Sequence, residues 1–395
     1  MSSDSIDRRR FLKLGSVGVA AAAVVGAGES PEAAEKMPPQ ARRSDIPYRT
    51  LGRTGMKASV IGYGAMRTRE AAVIKAAFDR GVNWLDTARG YMRGKNEVIC
   101  GEALEGYRDK VYVTTKTPAR SKSGILRDID ESLRSLKTDH VDLLLLHSVD
   151  DEPEEAFLSE EFLMRQETKA ALSQIRKEGK TRFVGVSTHN QVKVIDVLLK
   201  DPDKFYDVVL VPYNHEQKNN KALKDAIARA AKANVGVIAM KTQEGGYKTS
   251  ELGDISPHQA ALKWALQDKN VTLAIPAMVN LQQVIEDTEV MKMMKLTRVD
   301  EQILDRYSAA IAPFYCVGCG ECKPTCPKGV DIPKVNRCLM YAEGYRDVDL
   351  ARSTYAELRV EMTAAVCEDC AECVAQCSRR VQIARNMRQA RALLA

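Results

Sequence analysis

The sequence predicts an α/β chain: a (β/α)8 TIM barrel over residues 45–300, followed by a small, mainly α-helical unit over residues 301–395. Three observations carry this expectation. Short Val/Ile/Leu-rich runs alternate with longer stretches of helical period, the pattern of parallel strands joined by crossover helices. Eight such runs occur, which is the strand count of a closed barrel. Beyond the eighth the alternation stops, and two cysteine runs of matching spacing sit in helix-prone sequence. A chain of 395 residues also exceeds one ordinary core and suits one large unit plus a smaller one.

The strands are placed at 59–64, 82–86, 110–116, 140–147, 181–187, 206–213, 235–241 and 271–276. After the first comes "REAAVIKAAFDRG", after the third "GILRDIDESLRSLK", after the sixth "KALKDAIARAAKAN" and after the seventh "SPHQAALKWALQDKN". Each repeats apolar residues at helical spacing and most end near Gly or Asn, which stop helices. The fourth strand contains "LLLL", apolar on consecutive positions as a strand buried on both faces must be.

Composition is that of a soluble globular protein, with 45% hydrophobic and 28% charged residues. The formal net charge of +6 forms no long Lys/Arg stripe interleaved with aromatics, so nucleic acid is not the expected partner. The first 28 residues read differently from the rest. "DRRRFLKLGSVGVAAAAVVGAGES" joins a basic head to a mildly apolar Ala/Gly/Val stretch, the layout of an export signal and too weakly apolar for a spanning helix. Arg8 and Arg9, followed by Arg10, Phe11, Leu12 and Lys13, resemble the twin-arginine motif, departing from it at Asp7. The alternative is a disordered basic start before a short helix. Val25-Gly26-Ala27 is a candidate cleavage site, and an uncleaved signal would be the only membrane attachment. Residues 29–44, rich in Pro, Glu, Ala and Lys, read as a linker.

In a barrel of this class the chemistry lies at the C-terminal ends of the strands. The second strand ends in Asp86 with Tyr91 in the following loop, the third ends in Lys116 and the fourth in His147. Taken singly these residues have ordinary readings: a helix cap, a loop aromatic, a solvated strand end, a core histidine. As a set they have a chemical one. A nearby ammonium favours a tyrosine's phenolate, so Lys116 is expected to bring the Tyr91 pKa down toward the working range. Asp86 would hold Lys116 charged, and His147 would hydrogen-bond a carbonyl oxygen that Tyr91 protonates while hydride arrives at carbon.

The stretches "YRTLGRTGMKASVIGYGAM", "GVNWLDTARGY", "DHVDLLLLH", "RFVGVSTHN" and "AIPAMVNLQQVIED" occur in order and resemble the aldo-keto reductase family over residues 48–296. The resemblance implies the barrel, an extended nicotinamide cofactor across its mouth, and a catalytic tetrad that falls on Asp86, Tyr91, Lys116 and His147. It also implies an oxidoreductase acting on a small carbonyl or alcohol. On the cofactor side, Ser187 falls where the family holds the nicotinamide amide, with the usual following Asn displaced to Asn190. The usual Gln of the sixth strand becomes Leu210, and the stacking Tyr of the seventh becomes Met240. Residues that many members use for the 2′-phosphate of NADP fall on Ala277, Met278 and Gln283, none of them cationic, which favours NAD over NADP. Glu286 matches the adenine-side acid. Lys241, Gly245 and Gly246 are placed to cradle the pyrophosphate, since phosphate sites form from the loops after strands seven and eight.

In the tail, Cys316, Cys319, Cys322 and Cys326 with Pro327 spell C-x2-C-x2-C-x3-C-P, the run that wraps a [4Fe–4S] cluster, and Cys367, Cys370, Cys373 and Cys377 repeat it with Ser378 in place of the proline. Two clusters are expected. In two-cluster ferredoxins the fourth cysteine serves the other cluster, so the expected sets are Cys316, Cys319, Cys322 and Cys377, and Cys367, Cys370, Cys373 and Cys326. Zinc sites seldom use three cysteines in seven residues, and cysteines this close are hard to pair as disulfides without strain. The helix-prone sequence between the runs makes the unit resemble the α-helical ferredoxin type. Cys100 and Cys338 lie in helical patterns as small core residues.

The expected whole is an exported, periplasmic or extracytoplasmic oxidoreductase whose clusters relay single electrons to or from a redox partner. The twin-arginine route carries folded, cofactor-loaded proteins, which suits clusters assembled in the cytosol. Arg379, Arg380, Arg385, Arg388 and Arg391 form either a docking face for an acidic carrier or a solvated helix face. A second reading is an electron-transfer protein whose barrel is a docking scaffold without turnover. A third keeps the enzyme and makes the clusters structural.

Overall fold

The computed structural model describes residues 43–149, 159–248, 256–370 and 372–395, all within one compact unit spanning Pro38–Ala395. The expected signal at 1–28 and nearly all of the linker at 29–44 lie outside the described residues.

An antiparallel hairpin comes first, β1 (Tyr48–Thr50) and β2 (Lys57–Ser59). The barrel strands follow: β3 (Tyr63–Gly64), β4 (Trp84–Asp86), β5 (Tyr112–Thr117), β6 (Val141–Leu146), β7 (Thr181–Ser187), β8 (Val208–Pro212), β9 (Gly236–Met240) and β10 (Leu273–Ala274). These eight form one parallel sheet in sequential order. Its edges meet through a parallel bridge between Ile61 and Ala274, with Gly62 N donating to Ala274 O at 2.8 Å and Gly64 N to Pro276 O at 2.9 Å. The hairpin takes Ser59 out of the predicted first strand. It closes the floor of the barrel, where Leu51, Met56 and Ala58 join the interior core. Gly52, at φ +48, permits this because a Cβ there would lie 2.4 Å from Gly236 N.

The helices between strands are α1 (Ala71–Asp79), α2 (Lys95–Leu104), α3 (Lys122–Leu136), α4 (Ser159–Met164), α5 (Gln166–Lys177), α6 (Gln191–Lys200), α7 (Lys221–Lys232) and α8 (His258–Gln267). Then come α9 (Leu281–Glu289) and α10 (Arg298–Ile311), and in the tail α11 (Ile332–Glu343), α12 (Val348–Tyr355) and α13 (Ile383–Leu394). Strand alternation divides the core. Leu143 and Leu145 of β6 fill the barrel interior with Trp84, Tyr112, Leu210 and Ile238, while Leu144 and Leu146 face the helix layer. A third core belongs to the tail, yet Tyr247 from the loop after β9 is one of its buried members and Met66 from the loop after β3 packs on it. The tail is thereby joined to the loops at the mouth of the barrel. Cys100 and Cys338 are buried on α2 and α11.

Candidate active site

Asp86 ends β4 and Lys116 lies near the end of β5, both almost wholly buried. The Lys116 ammonium donates to the Asp86 carboxylate, to Thr87 O at 2.7 Å and to the Tyr91 hydroxyl at 3.3 Å. His147 follows β6, and its ring meets that of Tyr91 edge-on with centroids 5.6 Å apart. The four predicted residues are thus brought to one point at the strand C-termini. The loop that delivers Tyr91 is strained: Met92 and Arg93 both have positive φ, at 50° and 54°, a conformation that costs about 1–3 kcal/mol per non-glycine residue.

Several neighbours that hold this loop have no obvious sequence signal. The buried Glu97 carboxylate accepts from Arg89 at 2.7 Å and from Thr115 Oγ1 at 2.6 Å. Asn96 accepts from Thr87 Oγ1 at 2.6 Å and donates to Ala65 O at 2.8 Å.

The electrostatics depart from expectation at Tyr91. Burial raises its pKa, and the Lys116 ammonium opposes that rise without overcoming it. The phenol is therefore held protonated, in the donor form that an acid toward a carbonyl oxygen requires. Burial also raises Asp86 against the pull of Lys116. For Lys116, burial works downward, but Asp86 and Tyr91 together outweigh it and keep the ammonium charged.

The residues expected on a cofactor are mostly engaged with the protein. Ser187 Oγ accepts from Ser148 N at 2.9 Å, and Asn190 N donates to Thr188 Oγ1 at 2.9 Å. Leu210 belongs to the barrel interior, with Met240 packed against the same core. Met278 is buried and its carbonyl accepts from Thr68 Oγ1 at 3.0 Å. Gln283 folds back on Val279 N at 2.8 Å, and Glu286 accepts from Ser256. Ala277 is half-buried.

The tail lies over the loop after β9. Lys241 Nζ is 3.5 Å from the Tyr341 hydroxyl and 5.4 Å from the centre of its ring. Gly245 lies so close under Met340 that a Cβ on it would sit 2.7 Å from Met340 Cγ. Further contacts run from Asn214 to the Tyr315 hydroxyl at 2.8 Å, from His215 to Ser308 at 3.0 Å and from Arg379 to Glu216 O at 3.0 Å. Sequence reasoning missed this placement. Its only signal was "YAEGY", two tyrosines four residues apart at the end of a helix.

Beneath the seam Glu244 is fully buried, with one carboxylate oxygen accepting from Glu216 N at 3.2 Å and the other unpartnered. Burial, reinforced by Glu216, lifts its pKa from 4.5 to about 8. A carboxyl with a raised folded-state pKa keeps its proton longer in the folded chain, so the associated stability is present at low pH and is lost as pH rises from 4.5 through about 8. Glu244→Gln is expected to flatten this decline and raise the unfolding temperature above pH 8, by roughly 1 °C per kcal/mol recovered. Thermal scans of both proteins from pH 5 to pH 9 check it.

Several tail cysteines lie near one another. A small cavity is lined by Cys316, Cys319, Cys322 and Cys377. Burial holds the Cys316 thiol up at about 12, with Cys322, Cys319 and Cys377 adding to it. Cys367 is raised by burial and then by Cys326, Cys370 and Cys373. Among the described residues, no three His, Cys, Asp or Glu side chains converge as ligands of one metal ion.

A barrel with this constellation is the fold of an oxidoreductase family, and the comparisons agree. The aldo/keto reductase family pattern matches residues 54–253; the chain belongs to that family. It is 27% identical to L-galactose dehydrogenase of Arabidopsis thaliana over 313 residues, covering 68% of this chain and 95% of that protein. It is 26% identical to a methylglyoxal reductase of Escherichia coli, covering 61% of this chain and 85% of the relative. Among solved structures, an aldo-keto reductase from Bacillus halodurans in its holo form superposes with a TM-score of 0.53 at 22% identity, covering 66% of this chain and 96% of that one. An aldo-keto reductase complexed with NADPH gives a TM-score of 0.52 at 19% identity, covering 66% and 88%. At these identities the structural likeness speaks for the fold alone.

Proposed function

We propose that the protein is an exported oxidoreductase that interconverts a small carbonyl and its alcohol at the Asp86–Tyr91–Lys116–His147 constellation, with two [4Fe–4S] clusters in the tail exchanging electrons with a one-electron partner. The observation that carries the first half is the contact of all four side chains at one barrel mouth. Tyr91, kept protonated by burial, donates to the substrate oxygen. Lys116 stabilises the phenolate left behind, and Asp86 keeps Lys116 in place. His147 orients the same oxygen from the other side. The methylglyoxal reductase among the relatives supports a short carbonyl as substrate.

The cysteine sets support the second half. The repeated C-x2-C-x2-C-x3-C spacing is that of cubane ligands, and Cys377 lines one small cavity with Cys316, Cys319 and Cys322. The clusters would supply one-electron transfer, and the eight cysteines would hold them. The basic, apolar first 28 residues support export by the twin-arginine route.

The family's carrier of hydride is a nicotinamide dinucleotide, NAD or NADP. This chain's groove does not fit it in the arrangement described: Leu210 and Met240 offer neither an amide partner nor a stacking ring, and the loop expected to cradle the pyrophosphate is covered by Met340 and Tyr341. The test is an anaerobic titration of the cluster-loaded protein with NADH and then NADPH, followed by visible absorbance. Bleaching of the cluster bands is the result expected of a barrel connected to its tail. Turnover of methylglyoxal with no change in the bands would reduce the clusters to a structural role, and neither bleaching nor turnover would favour the scaffold reading.

A further inference from the structure

The misfit has a specific cause. Three contacts place the end of α11 and the turn after it on the pyrophosphate loop and the rim beside it. Met340 fills the space above Gly245, whose φ of +82° and lack of a side chain allow the approach. Gly344 faces the same loop so closely that a Cβ on it would lie 2.3 Å from Gly245 O. Tyr341, buried and stacked on Tyr345 with ring centres 5.4 Å apart, sets its hydroxyl against Lys241. Two further contacts fasten the turn to the barrel rim. Arg67 donates to Tyr345 O and lies over the Tyr345 ring with its guanidinium carbon 4.3 Å from the centre. Arg69 pairs with Asp347 at 3.6 Å.

Backbone approach of this kind leaves no room for a diphosphate at Gly245, and the Lys241 ammonium that would meet its charge is turned to a phenol. The same turn borders an open cavity of about 470 Å³ lined by Arg67, Arg69, Val279, Tyr345, Arg346 and Asp347. Within the turn, Gly344 N and Tyr345 N both donate to the carbonyl of Met340, at 2.9 and 3.0 Å, and Asp347 N donates to Tyr341 O at 2.9 Å.

We propose that residues 340–347, the last turn of α11 and the turn after it, are a built-in competitor of the dinucleotide: they occupy the pyrophosphate groove and must move off Gly245 before a nicotinamide cofactor binds. The proposal rests on the nicotinamide reading of the barrel. Binding then carries the cost of undocking the turn, so loosening the latch tightens the cofactor.

The test uses the full cluster-loaded chain and NADPH, then NADH, with binding read by equilibrium dialysis. Arg67→Ala, a rim residue outside the tetrad, is expected to lower the Kd about tenfold or more, the size of a shift worth ~1.4 kcal/mol. Met340→Ala is expected to do the same. Should Met340→Ala fail to fold, hydrogen exchange on the unmodified chain replaces it: cofactor addition should speed exchange at the amides of Gly344, Tyr345 and Asp347. Equal Kd values in all proteins, or slowed exchange at those amides, would overturn the gate and leave the nicotinamide reading standing. No binding of either cofactor by any variant would remove the nicotinamide reading and the gate with it.

Discussion

Tyr91→Phe is expected to lower the rate of carbonyl reduction by about 10²–10⁴-fold, the usual worth of a positioned acid, with little change in substrate affinity. The substitution removes one hydroxyl and keeps the ring, so the edge contact with His147 and the Lys116–Asp86 pair survive. The variant should therefore fold and carry as much iron as the parent. The measurement is the initial rate on methylglyoxal for both proteins, beside iron content and thermal midpoint. A fall in rate with the other two unchanged assigns the proton to Tyr91. A rate within twofold of the parent would remove Tyr91 from the chemistry and with it the reason for the surrounding charge arrangement. Lys116→Met provides a complementary case: it strands the buried Asp86 carboxylate without its partner, so it is expected to lose stability as well as rate.

The second large effect concerns the cysteines. On the proposed cluster reading, Cys377→Ser is expected to strip the cluster assigned to Cys316, Cys319 and Cys322, lowering iron and acid-labile sulfide by about half, because a [4Fe–4S] cluster takes four thiolates. Cys326→Ser should strip the other. Electron paramagnetic resonance of the reduced proteins separates the two, since each variant should keep a different signal. The proposed crossed assignment is consistent with Cys377 lying with Cys316, Cys319 and Cys322, and with Cys326 beside Cys367. If Cys377→Ser instead removed the signal that Cys367→Ser removes, each run would serve its own cluster and the crossed sets would be wrong. Full iron in all variants would point to another use for the thiols.

The barrel was legible because its signals are local and periodic. Consecutive leucines in β6 match a strand buried on both faces, and Asp86, Tyr91, Lys116 and His147 each fall near or just beyond a strand end, so placing the strands placed the tetrad. The β1–β2 hairpin was not legible, since three-residue strands carry too little alternation and the turn depends on Gly52 passing within contact of Gly236. The Tyr91 pKa was misjudged for a related reason. Adjacency to Lys116 can be inferred from a motif, but the burial that outweighs it is a property of the closed mouth. What covers that mouth is a long-range matter. Nothing near Gly245 in sequence announces Met340, and nothing near Arg67 announces Tyr345.

Tyr247 sits in the core of the tail although it is made with the barrel, and Met66 packs there too. During synthesis these side chains emerge ahead of the residues that will bury them. At about 5–20 residues per second, residues 301–395 take on the order of seconds to tens of seconds to follow. For that interval the apolar side chains of Tyr247 and Met66 lack the partners that the final helices supply. A chain truncated before α11 would leave Tyr247 and Met66 without the residues that bury them.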